Sequence, residues 1–199
     1  MRMKCDTEGI RVAGETIKRG GIVVFPTDTV YGIGCDPYNK DAVASIYRIK
    51  SRGTEKQFPI LGASKADLSK IAIFDKRSSK IAEKFWPGPI TLILKLKDKK
   101  LKESMGLENK VAVRVPNNQC VLSLLKQCNL LVGTSANISG SSSHTDPEEC
   151  AKRLTGYDLL LDGGTITNTI ESTIVEIKEN EIKVLRKGDI TKEEILNIF

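Results

Sequence analysis

Lys50-Ser51-Arg52 sets two fixed cations one residue apart, while Thr27-Asp28-Thr29 and Ser135-Ala136-Asn137 supply hydroxyls, a carboxylate and an amide. Cations spaced in this way fall on different faces of a helix, but in an extended turn they can converge on one anion. Hydroxyl and amide groups complete the coordination of phosphate or carboxylate oxygens. The chemistry this suggests is charge neutralisation and positioning, without a strong base. His144 is the single histidine, which argues against a multi-histidine metal site or a Ser-His-Asp triad. Neither G-x-x-x-x-G-K-[ST] nor G-x-G-x-x-G occurs, so a nucleotide would have to be held by side chains. Each feature alone has a commoner structural explanation, as turn chemistry or as a cation complementing a helix C-terminus. Their combination is what points to a site.

The elements that must position these groups are legible. Residues 22–25 (IVVF) have the length of a buried strand, and Pro26 ends it. A polar cluster just beyond a strand tip is where open α/β sheets place their ligands. Asn39 can cap a helix in which Ala42, Val43, Ile46 and Ile49 share one face, and this helix runs out at Lys50. Residues 130–132 form a strand leading into Gly133 and Ser135, and the strand at 111–115 carries Arg114 up to Pro116. Helices are expected at 8–19, stopped by Gly20-Gly21, at 78–85, from Asn117 or Asn118 to 127, after Asp146-Pro147, and after the capping box Thr191-x-x-Glu194. Ser64 can open a brief helix. Further strands are expected at 58–61, on an edge or with Pro59 just ahead of the pairing, and at 91–97 and 157–161. Residues 173–177 and 182–185 flank Glu179-Asn180 as a hairpin. Residues 98–110 read as a charged, mobile loop, and 139–145 as a linker, lid or phosphate cradle. The irregular alternation predicts one α/β domain over residues 1–199, with a mixed sheet flanked by helices.

The totals set limits. A chain of 199 residues with 40% apolar content can bury one good core. It lacks an 18-residue apolar run and an apolar leader at the start. Cys5, Cys35, Cys120, Cys128 and Cys150 are odd in number, with no C-x-x-C, and are expected to be reduced structural thiols in the cytoplasm. A net charge of +6 and a pI near 9.0 suit an anionic partner, nucleotide or RNA. Lysines 95, 97, 99, 100 and 102 read as solvated positions. Scarce aromatics argue against a dedicated RNA reader.

The run FPTDTVYGIG at 25–34, KSR at 50–52, VRVP at 113–116, GTSANISG at 133–140, DGG at 162–164, ESTIVEI at 171–177 and LRKG at 185–188 closely resembles the YrdC-like family over about residues 8–191. The family's K-x-R and S-x-N set stands here as Lys50, Arg52, Ser135 and Asn137. The resemblance implies a twisted mixed sheet around a basic concave face. It is closest to the short form, without the additional C-terminal domain of longer members. It implies a threonylcarbamoyl-AMP synthase, a nucleotidyltransferase joining L-threonine, bicarbonate and ATP and releasing pyrophosphate, for threonylcarbamoyladenosine modification of tRNA. Lys50 and Arg52 would be catalytic. ATP would be bound by Lys50, Arg52, Lys56, Ser135, Asn137, Ser143 and Arg186, and threonine by Thr29, Arg114, Gly133 and Ser172. Thr27 and Tyr31 would form the wall. Mg2+ would arrive with the ATP phosphates, without a protein metal cage or a tightly bound organic cofactor. tRNA or a tRNA threonylcarbamoyl transferase would be the partner, with no membrane involved.

One departure stands out. Many relatives carry a histidine where this chain has Leu61, so no side-chain role transfers to that position, and the spacing of Lys56 to Leu61 leaves the local match open. Structural alternatives also stay open for Arg114 (a carboxylate partner in the wall), Ser172 (a strand bulge) and Arg186 (a surface ion pair). The competing function is a non-catalytic RNA-binding module of the same fold. A hydrogenase-maturation domain with related chemistry is disfavoured, because no acylphosphatase or zinc-finger segment is present. Serine is expected to be a poor but detectable substrate, since a single methyl discriminates by only about 1–3 kcal/mol.

Overall fold

The computed structural model describes residues 1–168, 170–178 and 181–199. The chain opens with β1 (Arg2–Lys4) and α1 (Thr7–Lys18), followed by β2 (Val23–Phe25), β3 (Gly32–Gly34) and α2 (Lys40–Ile49). Next come β4 (Ile60–Gly62), α3 (Lys65–Leu68), β5 (Ala72–Ile73), α4 (Lys76–Phe85), β6 (Ile90–Leu96), α5 (Lys99–Met105) and β7 (Lys110–Arg114). The remainder is α6 (Gln119–Cys128), β8 (Leu130–Val132), β9 (Thr134–Ser135), α7 (Pro147–Arg153), β10 (Leu159–Asp162), β11 (Thr173–Lys178), β12 (Glu181–Arg186) and α8 (Lys192–Leu196). The caps read from the sequence hold: Asn39 Oδ1 accepts from Ala42 N–H at 3.1 Å, and Thr191 and Glu194 form a reciprocal capping box.

Two mixed sheets result. The first runs β1-β10-β2-β3-β9, and the second β12-β11-β6-β7-β4-β8 with β5 beside β6. β1, β10 and β2 are parallel, whereas β2, β3 and β9 are antiparallel. The two sheets meet through one short piece of chain. β8 pairs with β4 in the second sheet, and after Gly133 the chain pairs with β3 as β9 in the first. A Cβ at Gly133 would stand 2.4 Å from Leu61 Cδ1, so only glycine allows this crossing without moving Leu61.

Alternation along the strands divides the interior. Ile22, Val24 and Leu160 belong to a larger hydrophobic cluster, while Val23, Phe25, Leu159 and Leu161 face a smaller one under α1 and α6. The single core expected from composition is therefore two, because the first sheet is covered on both faces.

Other expectations change as well. Residues 98–110 are not a mobile loop. Asp98 accepts from Leu101 N–H at 3.0 Å, Leu101 and Met105 bury one turn apart, and Gly106 closes α5 at φ +61°. The lysines between them masked that pair. The strand at 58–61 begins at Ile60 and lies between β7 and β8, so Pro59 precedes the pairing and does not mark an edge. β1 and β9, at three and two residues, were too short to show a period. Cys5 and Cys120 are not free thiols: they form a disulfide with Cα atoms 5.8 Å apart, joining the end of β1 to the first turn of α6. Their separation of 115 residues hid this, and only the packing of α1 on α6 brings them together. β11 and β12 pair antiparallel as the hairpin requires, while its turn residues Glu179 and Asn180 lie outside the described residues. Among the described residues, no helix is long and apolar enough to cross a membrane.

Candidate active site

A cavity of about 330 Å³ opens where the two sheets meet. The turn after β2 forms one wall. Thr27 Oγ1 donates to Val30 O at 2.6 Å and accepts from the N–H groups of Thr29 and Val30 at 3.1 and 3.2 Å. Its hydroxyl is thus occupied in shaping the turn, which presents Thr29, 2% exposed, to the cavity. Tyr31 braces the wall from behind. Its N–H donates to His144 O, its carbonyl accepts from Ala136 N–H, and its hydroxyl donates to Gly164 O at 2.8 Å. Burial pushes that phenol up to about 12, so it remains a donor.

Arg114 reaches the cavity from the end of β7. Nε donates to Gly88 O at 3.1 Å, one terminal nitrogen to Thr29 Oγ1 at 3.3 Å, and the other to Asp28 Oδ1 at 2.6 Å. Three of its five N–H donors are thus engaged by the described residues, leaving two for a ligand. Burial lowers its affinity for a proton, opposed by Asp28, and a guanidinium so far from neutral pH stays charged. Asp28 Oδ2 is buried without a hydrogen-bond partner among the described residues. The carboxylate alternative for Arg114 is therefore realised, although the pairing is one-sided.

Arg186, Ser172 and Glu171 also line the cavity. Arg186 Nε donates to Ser172 O at 3.0 Å and a terminal nitrogen donates to Ser172 Oγ at 2.9 Å. The other terminal nitrogen pairs with Glu171, whose second oxygen accepts from Ser143 Oγ at 2.6 Å. Ser172 Oγ also lies 3.0 Å from Thr91 Oγ1.

The K-x-R segment divides. Lys50 caps α2, and Ser51 turns the chain through φ +48°. Lys50 then points inward, 1% exposed, and its ammonium donates to Ser135 O at 2.5 Å, Asn137 O at 2.7 Å and Asn137 Oδ1 at 2.9 Å. Ser139 N–H donates back to Lys50 O at 2.9 Å, so the two segments are stapled twice. All three ammonium hydrogens are taken. Burial, with help from Arg52, pulls its pKa down to about 8, and Glu171 opposes the shift. Arg52 instead faces the cavity, with Nε on Lys56 O at 2.9 Å and its guanidinium 5.2 Å above the Phe58 ring.

Of the residues singled out from the sequence, Thr29, Arg52 and Arg114 share the cavity wall with Gly133, Ser135, Ser172 and Arg186. Lys50 and Asn137 sit directly behind Ser135, whose Oγ donates to Asn137 Oδ1 at 2.7 Å. Lys56 touches the site only through its carbonyl, and Ser143 through Glu171. Leu61 lines the cavity as an apolar surface. Glu171, Glu55 and Lys110 went unrecognised, whereas Asp28 was noted as a carboxylate of the turn but not as the partner of Arg114. Glu171 stands inside the ESTIVEI motif, so position alone could have flagged it. Lys110, paired with Glu176, has no such signal. Among the described residues no group of three or more His, Cys, Asp or Glu lies together.

Comparison with known proteins bears on the family and the fold. The Sua5/YciO/YrdC family profile, described as "telomere recombination", matches residues 15–188. The threonylcarbamoyl-AMP synthase of Pyrococcus abyssi is 33% identical over 202 residues, covering 100% of this chain and 59% of that protein. The Bacillus subtilis enzyme of the same name is 35% identical over 194 residues, covering 94% and 55%. The chain thus spans somewhat over half the length of these relatives. The crystal structure of P. abyssi Sua5 complexed with L-threonine superposes with a TM-score of 0.91 at 32% identity, over 100% of this chain and 59% of that one. With most of its length matched by the profile and its fold shared with that structure, this chain belongs to the Sua5/YciO/YrdC family.

Proposed function

We propose that this chain condenses L-threonine, bicarbonate and ATP into threonylcarbamoyl-AMP, with release of pyrophosphate and water. The observation that carries the reading is that the guanidinium groups of Arg52, Arg114 and Arg186 all line one hollow at the junction of the sheets. Every reactant is an anion or becomes one, so fixed positive charge is what the transition state needs most. That a family relative of the same fold binds L-threonine supports assigning the amino acid to this hollow.

The roles follow from what each group has left to offer. Arg114 keeps two donors and takes the threonine carboxylate, with Thr29 and Ser172 contacting the rest of the amino acid. The threonine amine adds to carbon dioxide released from bicarbonate, losing a proton and forming a carbamate. A carbamate oxygen then attacks the α-phosphorus, and the bond to pyrophosphate breaks as that group leaves. Arg52 and Arg186 neutralise the phosphates, and Ser135 donates to a phosphate or ribose oxygen. Lys50 acts through Ser135 and Asn137, holding their loop in place beneath the nucleotide. Mg2+ enters as part of the ATP substrate. The adenylate is labile, and a tRNA-modifying transferase in the cytoplasm is its natural acceptor.

Pyrophosphate release from ATP tests this directly. It should require both threonine and bicarbonate. Binding of RNA without turnover under any combination of substrates would favour the RNA-binding reading instead.

A further inference from the structure

Glu171 lies among the cations of the cavity and bonds to two of the groups assigned to the nucleotide. One carboxylate oxygen pairs with Arg186 on β12, and the other accepts from Ser143 Oγ at 2.6 Å in the 139–145 segment. Lys50 and Arg52 both feel its charge. It lines the cavity, and the ion pair is only partly shielded, with side-chain exposures of 41% for Arg186 and 33% for Glu171. Two oxygens of one anion, held by a guanidinium on one side and a hydroxyl on the other, make the same contacts as two oxygens of a phosphate group. Among the described residues no backbone N–H donates to the Glu171 carboxylate, and β11 begins after it, with Thr173 N–H on Pro89 O at 2.9 Å.

We infer that Glu171 is an internal stand-in for a phosphate group, which a polyphosphate must displace from Arg186 and Ser143 in order to bind. This rests on the anion-binding reading of the cavity and deepens it: nucleotide binding becomes an exchange of anions, with Glu171 setting its affinity. In the ligand-free protein Glu171 holds one terminal nitrogen of Arg186, while Nε and the other terminal nitrogen are already held by Ser172.

The test is titration calorimetry with inorganic tripolyphosphate and, separately, with a non-hydrolysable ATP analogue, on the full chain and on Glu171→Gln. Removing a competing, partly exposed carboxylate should tighten both ligands by about fivefold. A merely structural role for Glu171 predicts the opposite sign, since loosening Arg186 weakens binding. Equal affinity in the two proteins, or weaker binding by the variant, overturns the inference. Binding by the variant where the parent shows none supports it. If neither protein binds either ligand, the anion-site reading falls and the inference falls with it. Ser143→Ala supplies a second arm: in that background Glu171→Gln should tighten both ligands by less than it does in the parent, and identical behaviour of Glu171→Gln in both Ser143 backgrounds would contradict the shared exchange.

Discussion

The two sides of the cavity hold their cations in different ways. On one side Lys50 is fixed by three neutral oxygens, from Ser135 and Asn137. On the other, Arg114 and Arg186 are fixed by the carboxylates of Asp28 and Glu171. Neutral acceptors orient a cation and leave its charge uncancelled, whereas a carboxylate orients it and cancels most of the field beyond. The Lys50 and Arg52 side is therefore the one whose cations no described carboxylate pairs with, and on the proposed reading it is where a triphosphate gains most. On the same proposed reading, the Arg114 side accepts one more carboxylate through the donors that Asp28 leaves free.

Substitutions can break or sharpen this contrast. The largest effect on turnover is expected from Arg52→Ala, which removes a cavity-lining cation that no carboxylate pairs with among the described residues. Threonine-dependent pyrophosphate release should fall by about 100- to 1000-fold, with the melting temperature little changed. A rate within severalfold of the parent would remove Arg52 from the chemistry. Lys50→Met should act on the fold as well as on turnover. It takes from Asn137 O the donor the described residues give it, and removes one of two donors from Ser135 O and from Asn137 Oδ1, so denaturant unfolding should show a loss of about 1–3 kcal/mol. Full stability in that variant would refute the staple. Arg114→Lys keeps the charge but not the fork, and threonine affinity should weaken about tenfold while ATP affinity stays level. Unchanged threonine binding by calorimetry would reassign the carboxylate.

The smallest effect is a pH dependence with a definite sign. The pKa of Lys50 in the folded protein, about 8, lies below its ordinary value of 10.5. Between those values the unfolded chain binds more protons than the folded one, so this group's contribution to stability rises with pH across the window. Over the same range the folded protein loses the Lys50 charge, and nucleotide affinity should decline. Thermal unfolding of the parent relative to Lys50→Met, followed from pH 7 to pH 10, should show the parent gaining on the variant above about pH 8. Parallel curves would mean that Lys50 keeps its proton.

Much of this was legible in the chain itself. Caps such as Asn39 and Thr191 and strands such as 22–25 and 111–115 carry local signals, and the folded chain places most of the chosen side chains around one cavity. What could not be read was pairing at a distance. Lys50 and Asn137, Arg114 and Asp28, and Cys5 and Cys120 are each brought together by topology, and no spacing encodes them. That explains why Lys50 looked like a second phosphate ligand beside Arg52. Its residue type was informative, but its direction depended on the left-handed turn at Ser51. α5 was missed for a different reason. Its buried face is only Leu101 and Met105, and lysines at 99, 100 and 102 outweigh two apolar residues in any average.

The central claim is that this hollow joins a carbamate to AMP. Radiolabelled bicarbonate, supplied with ATP, Mg2+ and threonine, tests it with the fewest assumptions. The account predicts that label enters a product carrying both threonine and AMP, and that omitting threonine abolishes it. Label remaining wholly outside the nucleotide fraction, in a protein that binds both ATP and threonine, would contradict it.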